Sequence, residues 1–357
     1  MLGLDTIAIG TILKFGLISL IPILAWIVFF QKQHRERTKF VVLTFLAGML
    51  SILPIKLYEK FWNQAVLYFE NINLFQYLAD LVKFPEISKL MSFIIVSGIV
   101  AAGLFLFTAV MMGILEIISR DNSARTFQKK FAKIMESPFL FVSMGVLFGG
   151  VAYAMSSFMP NKVWFFVVVG MLEEFIKYLV LRFTDEEKIN SVSDAISFAI
   201  LVALGFAFVE NIIYLQKFWD SAAGQSSGQF TLFFLLRSTF SVIAHVCFSA
   251  ILGYFYGRAH FSKEMYAEEV SHGKHPILRV MHKILHVKGS VLFHEEKLME
   301  GMIIAMACHA IFNSLLEYGK ILLIVPFLIT TFFLILHLLH QKDGRIKFGH
   351  FLNGLSK

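Results

Sequence analysis

Residues 163–183 read VWFFVVVGMLEEFIKYLVLRF, an apolar run that carries Glu173, Glu174 and Lys177 near its middle. The run has the length of a spanning helix, which needs about 20 residues. A charged side chain at the bilayer centre costs roughly 2.5–3.5 kcal/mol on insertion scales and marks a functional site by default. On a helix, Glu173 and Lys177 share a face at the i,i+4 spacing, and Glu174 lies about 100° away. We expect this face to contact protein or water.

The composition is that of an integral membrane protein, because 57% of the 357 residues are hydrophobic and only 16% are charged. Soluble domains carry about 25% charged residues. The formal net charge is +7, but no stretch combines a basic stripe with a nucleic-acid-binding motif, so no nucleic acid partner is expected. The two cysteines lie in apolar stretches without a CxxC spacing, which argues against a disulfide framework or a cysteine metal site.

The hydropathy pattern predicts an all-α integral membrane fold, a polytopic bundle of about nine transmembrane helices. The predicted spans cover residues 6–31, 40–57, 90–118, 137–159, 163–183, 193–216, 230–256, 298–318 and 320–340. We divide the chain into N-terminal membrane helices (1–162), a catalytic core of four helices (163–318) and a last span with its tail (319–357).

Two of the predicted connections are longer than turns. Residues 58–88 interleave aromatic and polar residues at helical spacing, which indicates an interfacial helix that acts as a strut or as a gate over a site. Residues 257–297 hold seven basic residues and six histidines. A metal site at His282 and His286 is disfavoured there, because no buried carboxylate or cysteine completes it. An amphipathic helix lying on anionic lipid is favoured instead.

Candidate functional residues fall on four consecutive predicted spans, the fifth to the eighth. They are Glu173, Glu174 and Lys177; Glu210 and Asn211 in GFAFVEN; Arg237 and His245; and His309 and Asn313 in ACHAIFNSL. Each polar group buried in a membrane needs a partner, and these groups can supply partners to one another. The sequence therefore predicts one shared site.

The groups in this site allow two kinds of hydrolytic chemistry. The adjacent glutamates are expected to titrate as a coupled pair, and one of them can take a proton from water. His245, His309 and Asn313 can then donate hydrogen bonds to an oxyanion. Alternatively, His245, His309 and Glu210 hold a catalytic zinc ion with a position open for water. The absence of an HExxH spacing and the cation at Lys177 favour glutamate-activated water without an obligatory metal.

Four motifs on successive apolar helices resemble the PrsW family of intramembrane proteases, a relative of the CAAX prenyl proteases and the bacterial abortive-infection membrane proteases. They are EEFIK (173–177), GFAFVEN (205–211), HVCFSAILGYFYG (245–257) and HAIFN (309–313). The resemblance covers residues 163–318. It implies cleavage of a membrane-anchored protein, such as a single-pass anti-sigma factor, in a bacterial cytoplasmic membrane.

The resemblance also implies which residues function in catalysis. The motif positions are Glu173, Glu174, Lys177, Glu210, Asn211, His245, His309 and Asn313. Lys177 and Glu210 stand where the wider group has Arg and His, which argues against a prenyl-protein substrate. The substrate itself and the oligomeric state are not predicted.

Two other classes of protein fit some of these features. A proton- or ion-coupled transporter also uses buried carboxylates and histidines as relays. However, no internal repeat relates the two halves of the sequence, and the polar groups cluster on spans five to eight. A structural protein whose polar residues join helices is the third alternative.

The orientation of the chain in the membrane is a testable prediction. The predicted connections hold 22 Lys and Arg residues on one side and 6 on the other, which places the N-terminus outside and the C-terminus in the cytoplasm. A cysteine introduced at Ser226 should therefore react with a membrane-impermeant reagent added to intact cells, whereas one at Ser271 should not. The opposite labelling pattern would invert the orientation.

Overall fold

The computed structural model describes residues 9–31, 38–53, 55–56, 161–185, 189–221, 226–273 and 275–345. Within these ranges all regular secondary structure is helical, as predicted. The spans predicted at 90–118 and 137–159 and the interfacial helix predicted at 58–88 lie outside the described residues.

We number the α-helices in chain order through the described ranges. They are α1 (Ile9–Gln31), α2 (Thr38–Leu50), α3 (Asn161–Asp185), α4 (Val192–Trp219), α5 (Ser227–Leu236), α6 (Val242–His260), α7 (Ser262–Ser271), α8 (Pro276–Leu285), α9 (Gly289–Glu317) and α10 (Ile321–Arg345). A π-helical segment, Arg237–Ser241, joins α5 to α6.

Three helical stretches of the described chain are long and apolar enough to cross a membrane: Val192–Trp219, Ser227–His260 and Gly289–Glu317. The second of these consists of α5, the π segment and α6 together, so the span predicted at 230–256 lies within one continuous helical stretch. Helix α3 has 25 residues but carries charged residues in its middle. Those of the EEFIK motif are buried inside the protein, as expected for charges on a helix at membrane depth.

One predicted boundary is wrong, because α9 begins at Gly289 and not near residue 298. The polar run His294–Glu296 looked like a loop in the sequence, but these residues form the early turns of α9. Neighbouring groups hold them there: Ala259 O on α6 lies 2.8 Å from His294 Nδ1. The connection predicted at 257–297 is therefore shorter, and it contains α7 and α8.

The core is formed around α4, which packs against α1, α2, α3 and α6, while α9 closes the bundle against α3 and α6. Helices α2 and α4 cross in close contact at two glycines. A Cβ atom added at Gly48 would lie 2.3 Å from Val202 O, and one added at Gly205 would lie 2.1 Å from Phe45 O. Small residues at such crossings let helix backbones approach, which is how helices associate in lipid.

This crossing predicts a strong effect from a single methyl group. Gly205→Ala should destabilise the protein by at least the roughly 1–3 kcal/mol typical of an overpacked core, because the clash is with backbone. The midpoint of thermal unfolding in detergent measures the effect. Gly228→Ala is the matched control, since nothing lies within 4 Å of a Cβ atom there. Equal midpoints for both variants would show that α2 and α4 do not approach this closely.

Candidate active site

The side chain of Glu174 on α3 joins three helices. Its Oε1 accepts hydrogen bonds from Lys177 Nζ at 2.7 Å and from His309 Nδ1 on α9 at 2.8 Å. Its Oε2 accepts a hydrogen bond from Ser249 Oγ on α6 at 3.2 Å. Glu174 is fully buried, and a buried carboxylate is tolerated only with such partners.

Lys177 bonds Glu174 at the i,i+3 spacing, although it shares a helix face with Glu173 at i,i+4. Both spacings are neighbours on a helix, so tertiary partners decide between them. Here Lys177 Nζ also lies 2.8 Å from His245 Nδ1 and over the ring of Phe206, 4.4 Å from its centroid. The ammonium group thus links the carboxylate on α3 to the imidazole on α6.

The partners of His245 define its tautomer. An ammonium group can only donate, so Nδ1 of His245 accepts the hydrogen bond from Lys177. Its other ring nitrogen, Nε2, then carries a proton, which it donates to Glu210 Oε2 at 2.9 Å. His245 is 3% exposed, and both of its nitrogens are occupied by protein groups.

The partners of His309 leave one ring nitrogen facing a carboxylate. Because Nδ1 donates to Glu174, the neutral imidazole has a lone pair at Nε2. This Nε2 lies 3.4 Å from Glu173 Oε2, an oxygen that is buried and has no hydrogen-bond partner among the described residues. Two lone-pair atoms repel at this distance unless a proton or a metal ion lies between them or a water molecule donates to both. This pair is therefore chemically unsatisfied.

Arg237 forms an ion pair with Glu210, and not with Glu173 or Glu174. Its Nη2 lies 2.6 Å from Glu210 Oε2, and its Nε donates to Asn211 Oδ1 at 3.2 Å. The guanidinium group also lies over the ring of Tyr214, 3.8 Å from the centroid. Arg237 is the first residue of the π-helical segment, and such segments occur frequently at functional sites.

These groups face a cavity of about 410 Å³. The predicted site residues that line it are Glu173, Glu210, Arg237, His245, His309 and Asn313. The cavity thus gathers residues from α3, α4, α6 and α9.

The other predicted site residues, Glu174, Lys177 and Asn211, do not line the cavity. The first two lie behind the cavity wall, where they contact His245 and His309, and Asn211 holds Arg237. Their contacts orient the groups that reach the cavity.

Sequence reasoning missed two residues that shape this site. Ser249 lies four residues after His245, so the helical spacing could have identified it as a partner of the same face. Gly170 lies one turn before Glu174, where a Cβ atom would be 2.8 Å from Asn313 Nδ2 and 3.0 Å from His309 Cδ2. A glycine inside an apolar span signals a close helix contact, and here α9 makes that contact.

The donor groups fit a metal ion. Glu173, His245 and His309 each offer a ligand atom, and these atoms lie within 4.8 Å of one another. Two imidazoles and a carboxylate form the ligand set of a catalytic zinc site. Glu173 Oε2 and His309 Nε2 are already unengaged, whereas His245 must release Lys177 or Glu210 to bind. The structure groups Glu173 with the histidines in place of the predicted Glu210, whose Oε2 is paired with Arg237.

The fold and the site together define an integral membrane protein with carboxylates and imidazoles buried around a cavity between its helices. A model of the family described as PrsW family intramembrane metalloprotease matches residues 98–339, which is more than half of the chain. The protein therefore belongs to the PrsW family.

Curated relatives match over a shorter stretch. The chain is 33% identical over 99 residues to protease PrsW of Geobacillus kaustophilus, which is 27% of this chain and 39% of that protein. It is 34% identical over 96 residues to protease PrsW of Oceanobacillus iheyensis, or 26% of this chain and 40% of that protein. These matches span about two fifths of each relative's length. No solved structure matches the chain.

The pairing of Glu174 with Lys177 predicts non-additive effects on stability. Lys177→Met leaves a buried carboxylate without its cation and should destabilise the protein by about 3–5 kcal/mol. Adding Glu174→Gln should recover part of this loss, because the buried charge is then gone. A double-mutant cycle on unfolding in detergent measures the coupling. Simple additivity of the two changes would contradict the pairing.

Proposed function

We propose that this protein is an intramembrane endopeptidase that hydrolyses a peptide bond of a membrane-anchored protein. The observation that carries this proposal is Glu173 Oε2, which has no hydrogen-bond partner in the described part of the chain and is buried beside His309 Nε2 in the wall of the cavity. No described protein group binds this oxygen, and Glu173 lines the cavity that water and substrate would enter. Membership in a family described as intramembrane metalloproteases supports the same reaction class.

Glu173 is the group we assign to water activation. Glu174 cannot serve, because both of its oxygens accept hydrogen bonds from Lys177, His309 and Ser249. Glu173 Oε2 takes a proton from water as the oxygen attacks the scissile carbonyl carbon, and His309 Nε2 can share that proton. The proton then passes to the amide nitrogen as the C–N bond breaks, which yields a carboxylic acid and an amine, and these exchange a proton to give the carboxylate and the ammonium ion.

Asn313 and His309 are the groups we assign to the developing oxyanion. Asn313 Nδ2 donates one hydrogen to Phe166 O at 3.0 Å, which orients the amide and leaves its second hydrogen available. His309 becomes a donor at Nε2 when it holds the proton taken from water. Preorganised donors of this kind typically contribute about 10²–10³ in rate. His245, fixed between Lys177 and Glu210, positions this group of side chains.

A zinc ion would be held by Glu173, His245 and His309, and it would polarise the scissile carbonyl and activate water as a Lewis acid. The lone-pair contact between Glu173 and His309 is satisfied equally by a proton and by a metal ion. The sequence favoured a mechanism without an obligatory metal, while the family description and this ligand set favour a metal.

An apolar space beside the site supports a membrane-anchored substrate. A second cavity, of about 210 Å³, shares Arg237 and Ser241 with the first one. Its remaining lining is apolar and includes Leu236, Phe240 and Ile324. Hydrophobic residues flanking a scissile bond fit such a space, whereas a soluble polar peptide does not.

The proposal includes several finer features. These are the bundle of nine spans, the catalytic core of four helices, the external N-terminus, the bacterial cytoplasmic membrane and a single-pass anti-sigma factor as substrate. The kinship with CAAX prenyl proteases is also part of it. The transporter alternative is not favoured by the family to which the chain belongs.

Substitution of the proposed base gives the sharpest change in activity. Glu173→Gln should abolish cleavage of a co-expressed, epitope-tagged single-pass anti-sigma factor while the protein stays folded, because an amide cannot accept a proton from water. Asn313→Ala should lower the rate by about 10²–10³. Immunoblots of the tagged substrate measure both effects. Glu264→Gln on α7 is the matched control, and retained cleavage by Glu173→Gln would remove Glu173 from this role.

Metal dependence is decided by chelation and by metal content. A strong chelator followed by zinc should abolish and then restore activity in a zinc enzyme but leave a metal-free enzyme unchanged. His309→Ala should remove bound metal together with activity if His309 is a ligand. If His309 acts only on the oxyanion, His309→Ala should cost about 10²–10³ in rate without altering metal content. Elemental analysis of the purified protein provides the readout.

A further inference from the structure

Helix α8 (Pro276–Leu285) exposes an apolar stripe on its surface. Ile277, Val280 and Ile284 are 72%, 55% and 67% exposed, and their spacing puts them on one side of the helix. Leu278 is buried, so another side faces the protein. An exposed apolar stripe of large aliphatic residues marks a surface that another phase or molecule covers.

The position of α8 in the chain indicates that the lipid bilayer covers this apolar stripe. With ten residues, α8 is about 15 Å long and cannot cross a hydrocarbon core of about 30 Å. It lies between the end of α6 at His260 and the start of α9 at Gly289, and both of those helices belong to candidate spans. The connection α7–α8 therefore stays on one side of the membrane, next to its surface.

The charge around α8 complements an anionic surface. Residues 272–288 contain four Lys or Arg residues and four histidines but no Asp or Glu. Lys283 and Lys288 are exposed. Of the acidic residues on α7 and α9, Glu269 contacts Arg258 and His275, and Glu296 contacts Lys297 and His275. Among the described residues no ion pair involves Lys283 or Lys288, so these two exposed cations can face an anionic surface.

The start of α8 is attached to the rest of the protein through His275. Both flanking residues, His275 and His286, have left-handed backbone conformations with φ of 55°. The imidazole of His275 contacts Glu269 on α7 at 2.5 Å through Nε2. Its Nδ1 lies 3.7 Å from Glu296 on α9. His275 thereby ties the start of α8 to both neighbouring helices, while the apolar stripe stays uncovered.

We propose that α8 lies in the headgroup region of an anionic leaflet. Ile277, Val280 and Ile284 insert among the upper acyl chains, and Lys283 and Lys288 extend to lipid phosphates. Amphipathic helices with this division of faces bind in the plane of the interface, and their affinity rises with the content of anionic lipid. This surface is separate from the cavity and does not depend on the proposed peptidase activity.

Dye labelling of the full-length protein in nanodiscs tests this arrangement. Single cysteines replace Val280 on the stripe or His282 on the opposite side, in a Cys247→Ala, Cys308→Ala background, and each carries a polarity-sensitive dye. In discs of phosphatidylcholine and phosphatidylglycerol, the dye at position 280 should shift to the blue and be quenched by brominated acyl chains. The dye at position 282 should show neither effect. Ile284→Cys provides a second reporter on the stripe if Val280→Cys does not fold.

The lipid composition of the disc and the number of protein copies in it distinguish insertion into an anionic leaflet from coverage by a second copy. The shift at position 280 should be smaller in discs of phosphatidylcholine alone. In discs of phosphatidylcholine and phosphatidylglycerol, the double substitution Lys283→Glu, Lys288→Glu should reduce the blue shift of the dye at position 280 to its value in phosphatidylcholine alone. An emission at position 280 that is equal in both lipids, or iodide quenching as strong as at position 282, would overturn the proposal. Shielding that appears only in discs loaded with two copies would also overturn it, because a second copy would then cover the stripe.

Discussion

The buried carboxylate of Glu174 is the interaction on which the candidate site depends. It receives hydrogen bonds from Lys177, Ser249 and His309, which stand on three different helices. A carboxylate buried this deeply is tolerated only while its partners remain, so the positions of α3, α6 and α9 are coupled through one side chain. The contact also fixes the ring of His309, because Nδ1 must carry the proton that Glu174 accepts.

Two glutamates that are neighbours in sequence are bound in different ways in the structure. Successive residues on a helix point about 100° apart, so Glu174 faces the helices behind the cavity while Glu173 reaches the cavity itself. The two histidines also differ in their contacts. Both ring nitrogens of His245 have protein partners, whereas Nε2 of His309 faces Glu173 Oε2. Among the described residues, Glu173 and His309 form a carboxylate–imidazole pair left without a proton or another partner between its atoms, and this is the pair to which we assign the chemistry.

Much of this site follows from the sequence, because charge buried in a membrane is rare and must be paired. The EEFIK, GFAFVEN and HAIFN motifs predicted that α3, α4 and α9 contribute to one site, and the structure brings their residues together. The choice of partner within the site could not be predicted. Lys177 has two glutamates within one helical turn, and its bond to Glu174 accompanies tertiary contacts with His245 and Phe206 that the sequence does not reveal.

Other features depend on packing between helices that are distant in sequence. The π-helical segment at Arg237 has no sequence signature, yet it carries the guanidinium group that pairs with Glu210. The start of α9 was misplaced, because its polar first turns resemble a loop until their contacts with α6 are known. The ligand role predicted for Glu210 stays a prediction. Glu210 Oε2 is paired with Arg237, and this pairing depends on how α4 meets the π segment. A Glu173 oxygen lies within 4.8 Å of ligand atoms of His245 and His309.

Substrate trapping in native membranes tests the central claim, that Glu173 activates water for cleavage of a membrane-anchored protein. Tagged wild-type protein and the Glu173→Gln variant are expressed at equal levels, and the proteins that co-purify with each are compared by mass spectrometry. If Glu173 activates water, one or a few uncut single-pass membrane proteins should accumulate with the variant and appear as fragments with the wild type. Identical sets of intact membrane proteins in both samples, with no fragment in either, would contradict it.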